Sequence, residues 1–544
     1  MAVRSGNCFG IALRLLCRGL YYLDMLFLVG WNEGVSMIMN LFSSRPEHPL
    51  GEPKELKRVL AELPLDNAFK TVDEIHGWLE SLRHAEGFRV DHLFDVVRQL
   101  DEIGLHHVRR LTRDYLHSPR LSKSEERRLW TMCFNYWGEV AGLYALCVQA
   151  CERNPKDKSV ESMKTHLPLM TARLVASRAV QQKWMAYRYG IVGEDLWRGI
   201  GSPYLTAVAA GYAQKLVQLY PAQPGLTSVG QQYLQALVLA SSSTDSLMPL
   251  EIELADRLIT HLLPGFSFVE SCQQDSVYWI DAAEGKPPIR LARSPLQLTP
   301  GMRFFAPGDA HRVLQELIRV VERGEVPKDL NLGGEYPARI VLPVLRHLAM
   351  YWAPEPPQRS HPRHPVKTRM AVIQGFDDCF TLFSGSVARL GKERTAESWI
   401  VENVSLGGFR ARVETLGEWL KIGVLLGMQP EGGENWVLGV VRRCSKDSES
   451  QASVGIQSLS RQPRSIELRS RAAGFSATGA IPGICLDDLV ADGDVRVVLP
   501  LGNFDVRESL EFFDGERRCL LTPIELETSG ANFEIARYRW ARAD

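Results

Sequence analysis

From about Glu52 to Leu263 apolar residues recur at helical spacing. In "VDHLFDVVRQLDEIGLHHVRRL", Leu93, Val97, Leu100, Val108 and Leu111 fall near one face, which predicts an amphipathic helix. "SKSEERRLWTMCFNYWGEVAGLYALCVQACE" opens with Ser122 or Ser124 as an N-cap and stays helical in pattern for many turns. A third helix stops at Gly190, and a fourth starts at Pro249 and ends at Pro264-Gly265. The aromatics Trp130, Tyr136, Trp137, Trp184, Tyr187 and Tyr189 read as fillers of a helical core rather than a ligand box. No fixed repeat period occurs, so a solenoid is not expected.

The texture changes near Phe266. Short β-rich runs broken by Gly285, Pro287 and Pro288 precede two further helical stretches, and together they predict a small α/β module. Ala353 to Arg369 follows as an extended linker. Pro354, Pro356, Pro357, Pro362 and Pro365 exclude a helix there, and the basic side chains between them sit on a semi-rigid rod. From Met370, short alternating strands separated by turns predict a small antiparallel barrel. A β-rich tail closes the chain. The expected fold class is therefore multidomain α+β. The expected order is an extension at 1–45, an all-helical domain at 46–264, an α/β module at 265–352, linker plus barrel at 353–470, and a β-rich module at 478–544.

Length and composition narrow the function. At 544 residues the chain needs several domains, and its formal net charge of −1 gives no bulk attraction to DNA, RNA or a membrane surface. The ten cysteines are scattered without a CxxC pair, and the histidines lack metal-ligand spacing. Buried free thiols in a reducing cytoplasm are the expectation, with no metal and no cofactor. "LYYLDMLFLVGWNEGVSMIMNLF" is apolar but is interrupted by Asp24, Asn32 and Glu33, which argues against a spanning helix. No convincing cleavage site follows it, and a start at Met37 or Met39 is the preferred reading of this extension.

The densest chemistry lies in "WIVENVSLGGFRARV", Trp399 to Val413. It reads as strand, tight turn and strand, with Asn403, Ser405, Gly407 and Gly408 gathered at the turn. One glycine would serve a hairpin; this set implies a second purpose. Asn403, Ser405 and Gly408 fit (D/N)xSxxG, and upstream Arg359 and Arg363 fit RxxxR just before the first barrel strand. At these positions, and in "WVLGVVRRCSKDSESQASVGIQSLS", the sequence resembles the PilZ domain family, whose members bind cyclic di-GMP. The resemblance covers about Arg359 to Arg469. It implies a six-stranded antiparallel barrel. It also implies that Arg359 and Arg363 contact phosphate and guanine, that Asn403 and Ser405 recognise the base, and that Gly408 sets the turn. The physics agrees independently. A dianion with two purines needs planar cationic forks for its phosphates and guanine edges, short polar side chains at those edges, and backbone that can approach closely. Arg442 and Arg443, adjacent on a strand, are expected to point to opposite faces. The 39 residues between Arg363 and Asn403 are more than the resemblance leads one to expect, so "FDDCFTLFSGSVARLGKERTAE" reads as a partly helical insertion.

No GxGxxG, P-loop, HExxH or GxSxG occurs, nor a string for making or cleaving cyclic di-GMP. The chain reads as a non-enzyme: a cytoplasmic receptor that binds cyclic di-GMP and reorients its domains, with the helical region meeting an unknown protein partner. The competing reading is an adaptor or scaffold whose barrel no longer binds nucleotide. Motility, pili, polysaccharide secretion and transcription are all compatible outputs.

Overall fold

The computed structural model describes residues 46–118, 121–153, 155–293, 295, 297–355, 361–385, 396–414, 417, 419–446, 451–471, 479–486, 493–515 and 517–542. The readings made for residues 1–45 and for Arg359 lie outside the described residues.

The helical region is built as its pattern dictates. The helix Val90–His117 buries Val97, Leu100, Val108 and Leu111 on one face, while Leu93 is half-buried at its start. Ser122, not Ser124, caps the helix Lys123–Arg153. Its hydroxyl accepts the Glu125 amide at 3.2 Å, and the Glu125 carboxylate accepts the Ser122 amide at 2.9 Å. The helix Leu167–Tyr187 is buried on nearly every side and threads the centre of the bundle. Its two buried cations are compensated: Arg173 pairs with Asp101 and Glu102, and Lys183 with Glu253 and Asp256. This helix ends where Tyr189 takes φ +53° and the Gly190 amide bonds back to the Met185 carbonyl at 2.9 Å.

Strands β1 (Ser267–Val269), β2 (Tyr278–Asp281), β3 (Ile289–Arg290) and β4 (Met302–Ala306) form an antiparallel sheet in the order β1-β4-β2-β3. The helices Asp309–Glu322 and Ala338–Trp352 follow it. One continuous apolar core runs from the helical region through this module to Trp352. Five of the six aromatics named above are buried, and Trp130 is half-buried. Tyr189 departs from the others: its ring packs into the core of the following barrel.

Two closed barrels complete the chain. The first contains β5 (His364–Gln374), β6 (Glu397–Ser405), β7 (Gly408–Val413), β8 (Leu425–Pro430), β9 (Val437–Lys446) and β10 (Ala452–Ser460), ordered β10-β7-β6-β5-β8-β9. The second contains β11 (Arg464–Ser470), β12 (Ile481–Cys485), β13 (Gly493–Pro500), β14 (Leu510–Asp514), β15 (Arg517–Ser529) and β16 (Phe533–Arg542), ordered β11-β12-β13-β16-β15-β14. Replacing each strand of the first ring by the strand six places later reproduces the second ring, so the two barrels share one topology. The β-rich tail is thus a second barrel, whose first strand lies at Arg464–Ser470. The insertion between β5 and β6 carries the helix Phe376–Phe383. Phe376 and Cys379 pack with Leu425, Leu438, Ile484, Val498 and Phe533 in a core shared by both barrels. Residues 386–395 of the insertion lie outside the described residues.

Candidate ligand site on the first barrel

β6 and β7 form a hairpin with Leu406-Gly407 at its turn, and Ser405 faces Gly408 across it. The Ser405 hydroxyl donates to the Gly408 carbonyl at 3.3 Å, and the Gly407 carbonyl accepts the Ser458 amide at 3.0 Å. The two glycines are not equivalent. A Cβ on Gly408 would lie 1.9 Å from the Ile456 carbonyl oxygen, so β10 passes too close for any side chain. Among the described residues, a Cβ on Gly407 would have only the His361 ring as a near neighbour, at 3.4 Å. That contact also fixes where the linker goes: His361 rests over the hairpin turn.

Register irregularities decide what the outer face presents. Val401 pairs with Ala411 and Asn403 with Arg410, so Glu402 is an extra residue on β6. Without this bulge Asn403 would share the inward side of Trp399 and Val401. With it, Asn403 stands beside exposed Arg410 on the outside. A second bulge on β9 does the same for the arginine pair. Arg443 opposes Gly455 and Val441 opposes Ile456, leaving Arg442 as the extra residue. Arg442 and Arg443 therefore both face outward, against the alternation expected from sequence.

The result is a row across four strands: Asn403 on β6, Arg410 on β7, Gly455 on β10 and Arg443 on β9. At the usual strand spacing it spans roughly 14 Å. Gly455 leaves the space that Arg443 crosses, since a Cβ there would lie 3.0 Å from that of Arg443. A parallel row holds Ser405, Gly408 and Gln457, and Arg442 Nε donates to Gln457 Oε1 at 2.8 Å. On the β5 side, Pro365 pairs with Asn403, and Arg363 stands just ahead of that strand. Arg363, Asn403, Ser405 and Gly408 thus gather at one end of the barrel.

The electrostatics of the face are uneven. Glu402 pairs with Arg412 at 2.5 Å and Arg410 at 3.4 Å, and Arg410 Nε also donates to Ser453 Oγ at 2.8 Å. Arg443 reaches off the barrel to Asp245, with a further bond to Ser243 Oγ at 3.1 Å, both in the helical region. Burial opposes its charge, but Asp245 more than offsets this and raises the guanidinium above its ordinary value. Arg442 moves the other way. Burial lowers it, and the charge of Glu251 offsets this only partly. Among the described residues no carboxylate pairs with Arg442, so the face presents one partly desolvated cation beside the hairpin.

Tyr189 anchors this barrel to the helical region. Its hydroxyl accepts the Ile422 amide and donates to the Leu247 carbonyl, each at 3.3 Å, and its carbonyl accepts the Lys446 amide at 3.3 Å. Lys421 adds an ion pair with Glu126 at 3.2 Å.

The fold defines a mixed α+β protein with tandem barrels and a polar, arginine-bearing outer face on the first. Residues 54–271, the helical region through β1, match the family model described as the N-terminal domain of the cyclic-di-GMP receptor FimW. No curated protein matches the chain. Among the described residues no three His, Cys, Asp or Glu gather to hold a metal, and no helix is long and apolar enough to cross a membrane.

Proposed function

We propose that this chain is a cyclic di-GMP receptor of the PilZ type that acts by binding, not by catalysis. The dinucleotide lies on the outer face of the first barrel, between the linker arginines Arg359 and Arg363 and the Asn403–Gly408 hairpin. Asn403 and Ser405 meet a guanine edge, the arginines meet phosphate and guanine, and Gly408 keeps the hairpin tight against β10. The observation that carries this reading is the bulge at Glu402, which turns Asn403 outward into the row that ends at Arg443. The match of the helical region to the N-terminal domain of a cyclic-di-GMP receptor supports the same ligand from a different part of the chain.

The same row suggests how binding is transmitted. Arg443 is shared between the ligand face and Asp245 of the helical region. A ligand phosphate competes with Asp245 for this guanidinium, and the barrel is then released to turn against the helices. An exposed pair of this kind is worth at most about 1 kcal/mol, small enough for a ligand to displace. The helical region, in the cytoplasm, presents the output surface to a protein partner.

Calorimetric titration of cyclic di-GMP into the full chain, beside an Arg359→Ala/Arg363→Ala variant, tests the reading. Micromolar or tighter binding in the parent, lost in the variant, is expected. No binding by the parent at high ligand concentration would leave an adaptor that works through protein contacts alone.

A further inference from the structure

The helix Val90–His117 turns a basic edge to solvent. Arg109, Arg110, Arg113 and His117 are exposed, and Asp114 is the one acidic residue among them. Arg109, Arg113 and His117 stand at i, i+4 and i+8, so they form one ridge that spans roughly 12 Å. In a chain of formal net charge −1 this cluster is local and not a consequence of composition. Among the described residues no carboxylate pairs with Arg109, Arg110 or Arg113.

The loop 331–336 lies alongside the ridge. Its Tyr336 ring stacks on His117 with centroids 5.8 Å apart, and the Tyr336 hydroxyl meets His117 Nε2 at 3.0 Å. Gly333 takes φ +80° and rests on Arg257: a Cβ there would lie 2.6 Å from the guanidinium carbon. The first glycine of "NLGGEY" thus serves close approach to a cation. Arg257 in turn lies within electrostatic reach of Arg109. Burial pulls the Arg109 guanidinium below its ordinary value and Arg257 adds to this, while Tyr220, Glu253 and Asp101 offset it only partly. Both carboxylates are already engaged, Glu253 by Lys183 and Arg257, and Asp101 by Arg173. The strip made by helix and loop is therefore cationic, and the carboxylates that reach it are bound to other cations.

Spacing selects the occupant. Successive cations of the ridge are about 6 Å apart along the helix, close to the ~6.6 Å between alternate residues of an extended chain. A single phosphate is too compact to meet both ends of such a ridge. A nucleic-acid duplex is uniformly anionic and would meet Asp114 and Glu335, both exposed beside the ridge. A protein segment can set neutral residues at those points. We propose that this strip docks an extended acidic segment of a partner protein, with carboxylates at alternate positions over Arg109, Arg113 and His117. This rests on the reading that the helical region meets a protein partner, and it adds that partner's chemistry.

The test follows the fluorescence anisotropy of a labelled peptide alternating glutamate and alanine, titrated with the full chain and first without nucleotide. Saturable binding that falls with added salt is expected, and the glutamine counterpart should not bind. Arg109→Ala/Arg113→Ala should weaken it about tenfold, since each exposed pair is worth up to about 1 kcal/mol. Arg319→Ala/Arg323→Ala removes two exposed arginines at the same spacing elsewhere and should leave binding unchanged. Arg109→Glu/Arg113→Glu should lose the glutamate peptide and capture one alternating lysine and alanine. All four side chains are exposed, and unaltered melting curves would show that the fold is kept. The proposal is overturned by an absence of saturable binding at millimolar peptide, or by equal losses in the two alanine variants. Duplex DNA that binds the same arginines more tightly than the peptide would overturn it as well. Repeating the titration with cyclic di-GMP separates the two readings: peptide binding that ignores the nucleotide keeps this surface and removes the switch.

Discussion

Gly408 and Gly407 are neighbours in sequence and opposites in tolerance. Gly408 packs against the Ile456 carbonyl with no room for a methyl group, whereas Gly407 faces the His361 ring, its one near neighbour among the described residues. Gly408→Ala is expected to cost about 3 kcal/mol, because backbone on both sides must move. Gly407→Ala should stay within about 0.5 kcal/mol of the parent. Urea denaturation of the two variants measures the contrast. Asp245 is the other informative residue. If it competes with ligand for Arg443, Asp245→Ala should tighten cyclic di-GMP binding by up to about fivefold, the most that a pair worth ~1 kcal/mol can hold back. Unchanged or weaker binding by calorimetry would show that Arg443 is not shared in this way.

Among the elements, the helix Phe376–Phe383 has the largest architectural role for its length. It enters where an insertion interrupts the β5–β6 connection, yet it faces the protein interior. Cys379 and Leu382 are buried, and Leu382 lies against Gly427 of β8. Ser465 of β11 donates its hydroxyl to the Phe380 carbonyl at 2.6 Å, which ties the helix to the second barrel. Phe376→Ala, which empties part of the core shared by both barrels, should cost about 3 kcal/mol through the cavity it leaves. The loss is expected to loosen the two barrels together, so their unfolding transitions should shift in parallel. A shift confined to one barrel, followed by hydrogen exchange, would contradict a shared core.

For the whole molecule, acid stability should depend on the charged cluster at the centre of the helical region. Burial opposes ionisation of Glu253, but Lys183 and Arg257, with the Tyr187 hydroxyl, outweigh it and hold the carboxyl down to about 2. A folded-state value below the unfolded one means that this contribution is complete above about pH 4.5. It is lost as the pH falls from there toward 2. Thermal melting should therefore fall steeply below pH 4.5 in the parent. Glu253→Gln should cost about 3 kcal/mol at pH 7, since Lys183 loses the buried one of its two partners and keeps the half-buried Asp256, and should flatten the acid limb. An acid limb identical in both proteins would assign the loss to other carboxylates.

Much of this architecture was written locally. Leu93 to Leu111 marked a helix face, Ser122 and Glu125 a cap, and Gly190 a stop, because helix signals act within one or two turns. The hairpin was legible for the same reason, since Asn403, Ser405 and Gly408 lie within six residues. What the sequence could not disclose depends on contacts between distant strands. The bulge at Glu402 exists only because β6 is matched against β5 and β7, and it alone turns Asn403 outward. The bulge on β9 overrides the alternation that would have separated Arg442 from Arg443. The partnership of Arg443 with Asp245, the packing of Tyr189 into the barrel, and the second barrel itself likewise join positions far apart in the chain. Local propensity determined which segments became helices and strands. Register and closure, which are long-range packing decisions, determined which side chains share a face.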